Sequence, residues 1–226
     1  MNFNVIKINP DKKLVFVSDL HLNHDKEFLW GKRGFKSSEE HIEAIFKRLA
    51  KVADDDHVLI NLGDATFRDA ERKFFDRLAN LPFHKHYHVW GNHPSGAKQA
   101  YKQAVQDWIQ NVYPVLTVPD GMEVYPVDYK NLTFVGSQAF FRYKGQLIFA
   151  SHFPHDIWDE MKNGVWHVCG HSHGSFSATN GNSVTDGKVM DVGVESALYN
   201  FGDVFLTFEQ VRKFMNDREI VKKDHH

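Results

Sequence analysis

Cysteine is nearly absent from this 226-residue chain: Cys169 is the only one, so no internal disulfide can form. Small secreted scaffolds lean on disulfides, and a single thiol points instead to a reducing compartment, the cytoplasm. Long apolar runs are missing too. No stretch of 18 apolar residues occurs, which argues against a membrane-spanning helix, and MNFNVIKINPDKK at the N-terminus has no apolar signal-peptide core. Charge of one sign is not in excess. A net charge of −2 argues against a broad surface for extended nucleic acid and leaves small substrates open. No internal repeat of fixed period and no low-complexity segment interrupts the chain. The hydrophobic share, 42%, is ample for one buried core.

What is abundant is histidine, with 15 in the chain. His225 and His226 belong to the terminus and are set aside as tag-like. Several of the others follow short apolar runs. Leu14 to Val17 is such a run, and it ends in Asp19 and His21, one residue apart. A carboxylate oxygen and an imidazole nitrogen leaving one strand together suit zinc, iron or manganese. Val58 to Ile60 runs into Asn61-Leu62-Gly63-Asp64, and a strand over about His86 to Trp90 ends in Gly91-Asn92-His93. Gln146 to Ala150 delivers His152, and Val165 to Cys169 delivers Gly170-His171-Ser172-His173. Any one of these reads equally well as a turn or an ordinary core histidine. Cys169, inside its strand, reads as a small buried hydrophobe.

Between the runs lie helical patterns. Ser37 to Glu40 is a capping-box pattern, and Ile42, Ile45, Phe46 and Leu49 follow on one face. A helix is predicted from about Asp69 to Ala79, and another carries Tyr101, Val105 and Trp108. Strands alternating with helices predict βαβ units and a largely parallel first half. Met122 to Val127, Leu132 to Phe141 and Gln146 to Ala150 are predicted as three strands with short turns, hence antiparallel. Turns near Gly181 and Asp186 lead to a last strand, Val189 to Val192. Thr207 to Gln210 caps a short helix ending near Met215, and the charged tail beyond is expected to fray.

Seven candidate ligands therefore follow strands: Asp19, His21, Asp64, Asn92, His152, His171 and His173. One ion cannot use seven such groups, whereas two ions sharing a carboxylate can. The order Asp-x-His, Gly-Asp, Gly-Asn-His, His, Gly-His-x-His resembles the calcineurin-like metallophosphoesterase superfamily. The Arg33-Gly34-Phe35 loop, SHFP at Ser151 to Pro154, WHVCGHSHG at Trp166 to Gly174 and Asp191-Val192-Gly193-Val194 resemble its phage and bacterial branch. The resemblance implies an α/β fold, two mixed β-sheets packed face to face with flanking helices in four layers, spanning residues 1–215, with 216–226 as tail. It also implies that Asp19, His21 and His173 hold one divalent metal ion and Asn92, His152 and His171 a second, bridged by Asp64. Manganese is the foremost candidate, with iron, zinc or nickel as others. The implied activity is hydrolysis of a small nucleotide-like phosphodiester or phosphomonoester, with His93 catalytic and His24 and Arg33 facing the substrate phosphate. Pro94 departs from the family, which usually carries an acidic residue there to orient the neighbouring histidine. A different class, a protein-interaction scaffold on the same fold, would be expected to have a weakened ligand set, and this set is intact.

Overall fold

Side-chain alternation along β2 (Lys13–Val17) sets the layers. Leu14 and Phe16 point one way, beside Val58 and Ile60 of β3 (His57–Asn61), into a core shared with a second sheet. Val15, Val17 and Leu59 point the other way, into a core closed by helices. Strands apolar on both faces must be covered on both, which is why these runs show no polar alternation. The structure is a computed structural model that describes residues 5–67, 72–93, 95–112, 127–175 and 187–222. The start of the strand expected at Met122, the turns near Gly181, Pro94 and the last four residues lie outside the described residues.

The first sheet has six strands in the order β11 (Leu206–Thr207), β2, β3, β4 (Lys85–His88), β6 (Leu132–Phe134), β5 (Val127–Tyr129). The second has five: β1 (Val5–Lys7), β7 (Gln138–Tyr143), β8 (Gln146–Ser151), β9 (Trp166–Cys169), β10 (Val189–Asp191). Both are mixed. In the first, β2, β3, β4 and β6 run parallel and the two edges antiparallel; in the second, only β7 and β8 are antiparallel. The expected division into a parallel and an antiparallel half is thus corrected. The hairpins are present, but β6 joins β4 in parallel and β9 extends β8 in parallel. The single strand expected over Leu132 to Phe141 is two strands in different sheets, parted where Gly136 takes φ 94°. A glycine adopts that angle without the Cβ penalty, so the chain can leave one sheet there for the other. β1 and β2, separated only by a turn, also lie in different sheets.

α2 (Ser38–Leu49) begins as expected, with the Ser37 side chain accepting from the Glu40 amide at 3.1 Å. Its Ile42, Ile45, Phe46 and Leu49 join α3 (Arg72–Ala79) and α4 (Ser95–Val112) over the first sheet. A four-residue α1 (Glu27–Trp30) precedes α2. α5 (Val194–Phe201), which the sequence patterns did not indicate, follows β10, and α6 (Phe208–Asn216) carries a complete Thr207/Gln210 capping box. The far face of the second sheet, with Phe140, Phe149, Cys169 and Val189, is covered by Trp158, Met161 and Val221. Cys169 is accordingly a packed apolar side chain. The start of the tail makes tertiary contacts: Lys188 Nζ donates to the Met215 and Arg218 carbonyls at 2.6 and 2.7 Å, and Val221 packs on the sheet. No helix among the described residues is long and apolar enough to cross a membrane.

Candidate metal centre

Because β2, β3 and β4 are adjacent and parallel, as are β8 and β9, the loops after them open at the same ends of their sheets. The first loop is zipped to the second. Asp19 N donates to Gly63 O at 3.1 Å and His21 N to Asp64 O at 2.9 Å. Two glycines allow this closeness. A Cβ on Gly91 would overlap the Asp64 carboxylate, and one on Gly170 would overlap Ser18 Oγ and lie 2.5 Å from Asp19 Oδ2.

All seven ligand candidates meet in one cluster. His21 Nε2 is 3.8 Å from Asp19 Oδ1 and 3.7 Å from Asp64 Oδ2, and His152 Nε2 is 3.4 Å from Asp64 Oδ2. Asn92 Oδ1 lies 2.8 Å from His152 Nε2 and 2.9 Å from His171 Nδ1. The His21 and His173 rings stack at 4.9 Å. Two groups of donor atoms, Asp19/His21/His173 and Asp19/Asp64/His152, each fall within 4.8 Å of one another, so both can hold a metal ion.

Five of the seven have left-handed backbones: Asp19 (φ 57°), His21 (43°), Asp64 (48°), His171 (70°) and His173 (49°). Lys130 and Lys144 do the same in hairpin turns, where it is cheap to arrange. Outside such turns it costs on the order of 1–3 kcal/mol per residue and persists only where the surroundings impose it. Asp19 Oδ1 and both ring nitrogens of His21 are buried without a hydrogen-bond partner among the described residues. Orphaned oxygen and nitrogen donors aimed at one another fit a divalent cation.

Electrostatics agree. Burial pushes the Asp19 carboxyl up to about 7, assisted by Asp191 and Asp64 and opposed by His152 and His173. Burial likewise drives His21 down to about 2, a neutral imidazole with a lone pair to give. At Asp64 burial also raises the pKa, but the His152 hydrogen bond and charge and the His93 amide outweigh it and bring the carboxyl to about 2. That amide donates to Asp64 Oδ1 at 2.8 Å. His152 donates Nδ1–H to Leu62 O at 2.8 Å, which leaves Nε2 toward the cluster.

Around the donors stand the other candidates. The His93 ring is exposed at the rim, 5.6 Å from His21 and 5.2 Å from Phe67. His24 is buried, 4.2 Å from the Phe67 ring, with Nδ1 accepting from Lys26 N at 3.2 Å. Arg33 does not face outward. Its fully buried guanidinium donates through Nε and Nη2 to Glu195 at 2.9 and 2.8 Å, through Nη2 to Asp19 O at 2.7 Å, and through Nη1 to Leu20 O at 3.0 Å and His41 Nε2 at 2.9 Å. Those five contacts match its five N–H donors, so in this structure its donors are turned inward.

Sequence patterns gave no role to the supporting carboxylates. Asp191 accepts from Ser172 Oγ and from Gly193 N at 2.7 Å, and so ties down the histidine loop after β9. Glu195 Oε1 lies 2.9 Å from His173 Nδ1. An acidic residue in the first turn of a helix is commonplace, and nothing in the local sequence distinguishes Glu195. A cleft of about 730 Å³ opens beside it, lined by Lys32, Arg33, His173, Ser196 and Tyr199 among others.

No protein-family model matches the chain, and no curated protein does. Among solved structures, AQ665 of Aquifex aeolicus, a protein of unknown function, superimposes with a TM-score of 0.55 at 18% identity over 89% of this chain and 98% of that one. Nuclease MPE of Pseudomonas putida gives 0.39 at 16% identity over 73% and 66%. The first likeness shows the fold, a two-sheet α/β arrangement.

Proposed function

We propose that the chain is a dimetal phosphohydrolase that cleaves a small phosphomonoester or phosphodiester. The observation that carries this reading is the convergence of seven oxygen and nitrogen donors from five strand-end loops of both sheets, with Asp19 Oδ1 and both His21 ring nitrogens buried and without a hydrogen-bond partner among the described residues. The calcineurin-like motif order supports it. Asp19, His21 and His173 would hold one ion and Asn92, His152 and His171 the other, and Asp64, whose Oδ2 lies near both His21 and His152, is suited to bridge. Bound divalent ions supply positive charge to the phosphate oxygens and lower the pKa of a water.

The remaining work falls to the chain. Asp64 is held as a carboxylate by the His93 amide, which donates to its Oδ1. His93, exposed at the rim, would give a proton to the leaving oxygen. Phe67 and His24 pack against the His21 and His93 edge and keep that side apolar. Manganese-loaded protein should hold about two ions per chain and hydrolyse bis(p-nitrophenyl) phosphate or p-nitrophenyl phosphate, with activity abolished by a chelator. Undiminished hydrolysis after exhaustive chelation refutes the reading. A panel of phosphomonoesters, cyclic nucleotides and phosphodiesters then separates the substrate classes.

A further inference from the structure

Arg33 and Glu195 lie 162 positions apart in sequence, yet form a pair that touches both arms of one half of the cluster. Glu195 Oε1 receives Arg33 Nε and Nη2 and sits 2.9 Å from His173 Nδ1. A carboxylate that is already accepting from a guanidinium can only accept from the imidazole, so His173 carries its proton on Nδ1 and leaves Nε2 with the lone pair. On its other side Arg33 donates to the carbonyls of Asp19 and Leu20, the stretch whose Asp19 and His21 take left-handed angles. Burying a guanidinium is costly, and a buried ion pair is weak evidence for stability. This pair spans two loops that each carry metal-ligand candidates, and all five guanidinium N–H groups are engaged there.

We propose that Glu195, anchored by Arg33, is a positioning residue that fixes the tautomer and orientation of His173 and so sets one of the two metal sites. The inference rests on the metal reading above, because its consequence is metal affinity. Carboxylate partners of metal-binding histidines typically matter 10–100-fold in affinity. Only one site depends on Glu195: His152, on the other side, is oriented by the Leu62 carbonyl instead.

The test has two readouts. In metal-free protein at pH 8.5, the ¹⁵N shifts of His173 should report the Nδ1–H tautomer in wild type and in Glu195→Gln, whose amide oxygen still accepts, and a mixture in Glu195→Ala. In calorimetric titration with Mn²⁺, Glu195→Ala should weaken one site about 10–100-fold and leave the other near wild type, while Glu195→Gln stays within a few-fold. An Nε2–H tautomer in wild type overturns the proposal, as does a folded Glu195→Ala that binds two Mn²⁺ ions with wild-type affinity. If Glu195→Ala fails to fold, the tautomers of wild type and Glu195→Gln decide. A wild-type protein that binds no Mn²⁺ overturns the metal reading, and the tautomer still tests the hold of Glu195 on His173.

Discussion

Four histidines outside the donor cluster are fully or almost fully buried: His41, His86, His88 and His167. Burial holds His41, His88 and His167 at about 3, with Arg33 adding to the effect on His41, and keeps His86 well below its ordinary range. In the unfolded chain each returns to about 6.5. Between those values the unfolded state binds the proton and the folded state does not, so stability is lost as pH falls below about 6.5. From pH 7 to pH 5 the loss is about 2 kcal/mol for each of His41, His88 and His167, on the order of 6 kcal/mol together, against a total stability of about 5–15 kcal/mol, and His86 acts in the same direction. His86 is the most informative of them, since both its ring nitrogens lack a hydrogen-bond partner among the described residues. His86→Leu, close in volume, should raise stability at pH 7 by about 1–3 kcal/mol, the cost of unpaired buried polar groups. It should also make the pH 7-to-5 loss measurably smaller than in wild type. Urea denaturation of chelator-treated protein, followed by circular dichroism at pH 7, 6 and 5, measures both. An acid loss identical in wild type and His86→Leu would refute the reasoning, because His86 would then titrate in the fold as it does in water.

Three further outcomes test the site. Asp64→Asn keeps the shape but removes the charge between His21 and His152, and should abolish activity and release at least one metal ion, read by metal analysis on protein with wild-type circular dichroism. Gly170→Ala should displace Ser18 and Asp19 and lower Mn²⁺ affinity at least 10-fold by titration, an effect of roughly 1.4 kcal/mol or more; unchanged affinity would mean the two loops separate freely. His93→Asn should slow an alkyl or nucleotide ester by about 10²–10⁴-fold and a nitrophenyl ester far less, since only a poor leaving group needs a proton. Equal slowing of both esters would assign the His93 side chain to phosphate stabilisation or to holding Asn92 in place.

The ligand candidates were legible because each stands directly after an apolar run, and strand ends in α/β sheets are where functional side chains collect. The helix starts at Ser37 and Thr207 were legible for a local reason as well: a capping side chain reaches only three residues along its own chain. Strand pairing was less so. A run such as Leu132 to Phe141 has the same apolar character whether it stays in one sheet or changes sheets, and a single glycine at φ 94° decides. Arg33 shows the same limit for the site. A basic residue in a loop between two predicted elements looks solvent-facing, and only the packed chain brings Glu195, Leu20 O and Asp19 O around it.

By itself, then, the sequence determined which donors exist, the order in which they occur and the strands that deliver them, because those are properties of short segments. Tertiary structure alone decided that loops from two sheets share one centre, that five donors take left-handed angles, and that a distant glutamate governs His173. These depend on contacts between residues far apart in the chain, such as the 162 positions between Arg33 and Glu195, and no local pattern encodes which remote carboxylate will fill a buried guanidinium's fork.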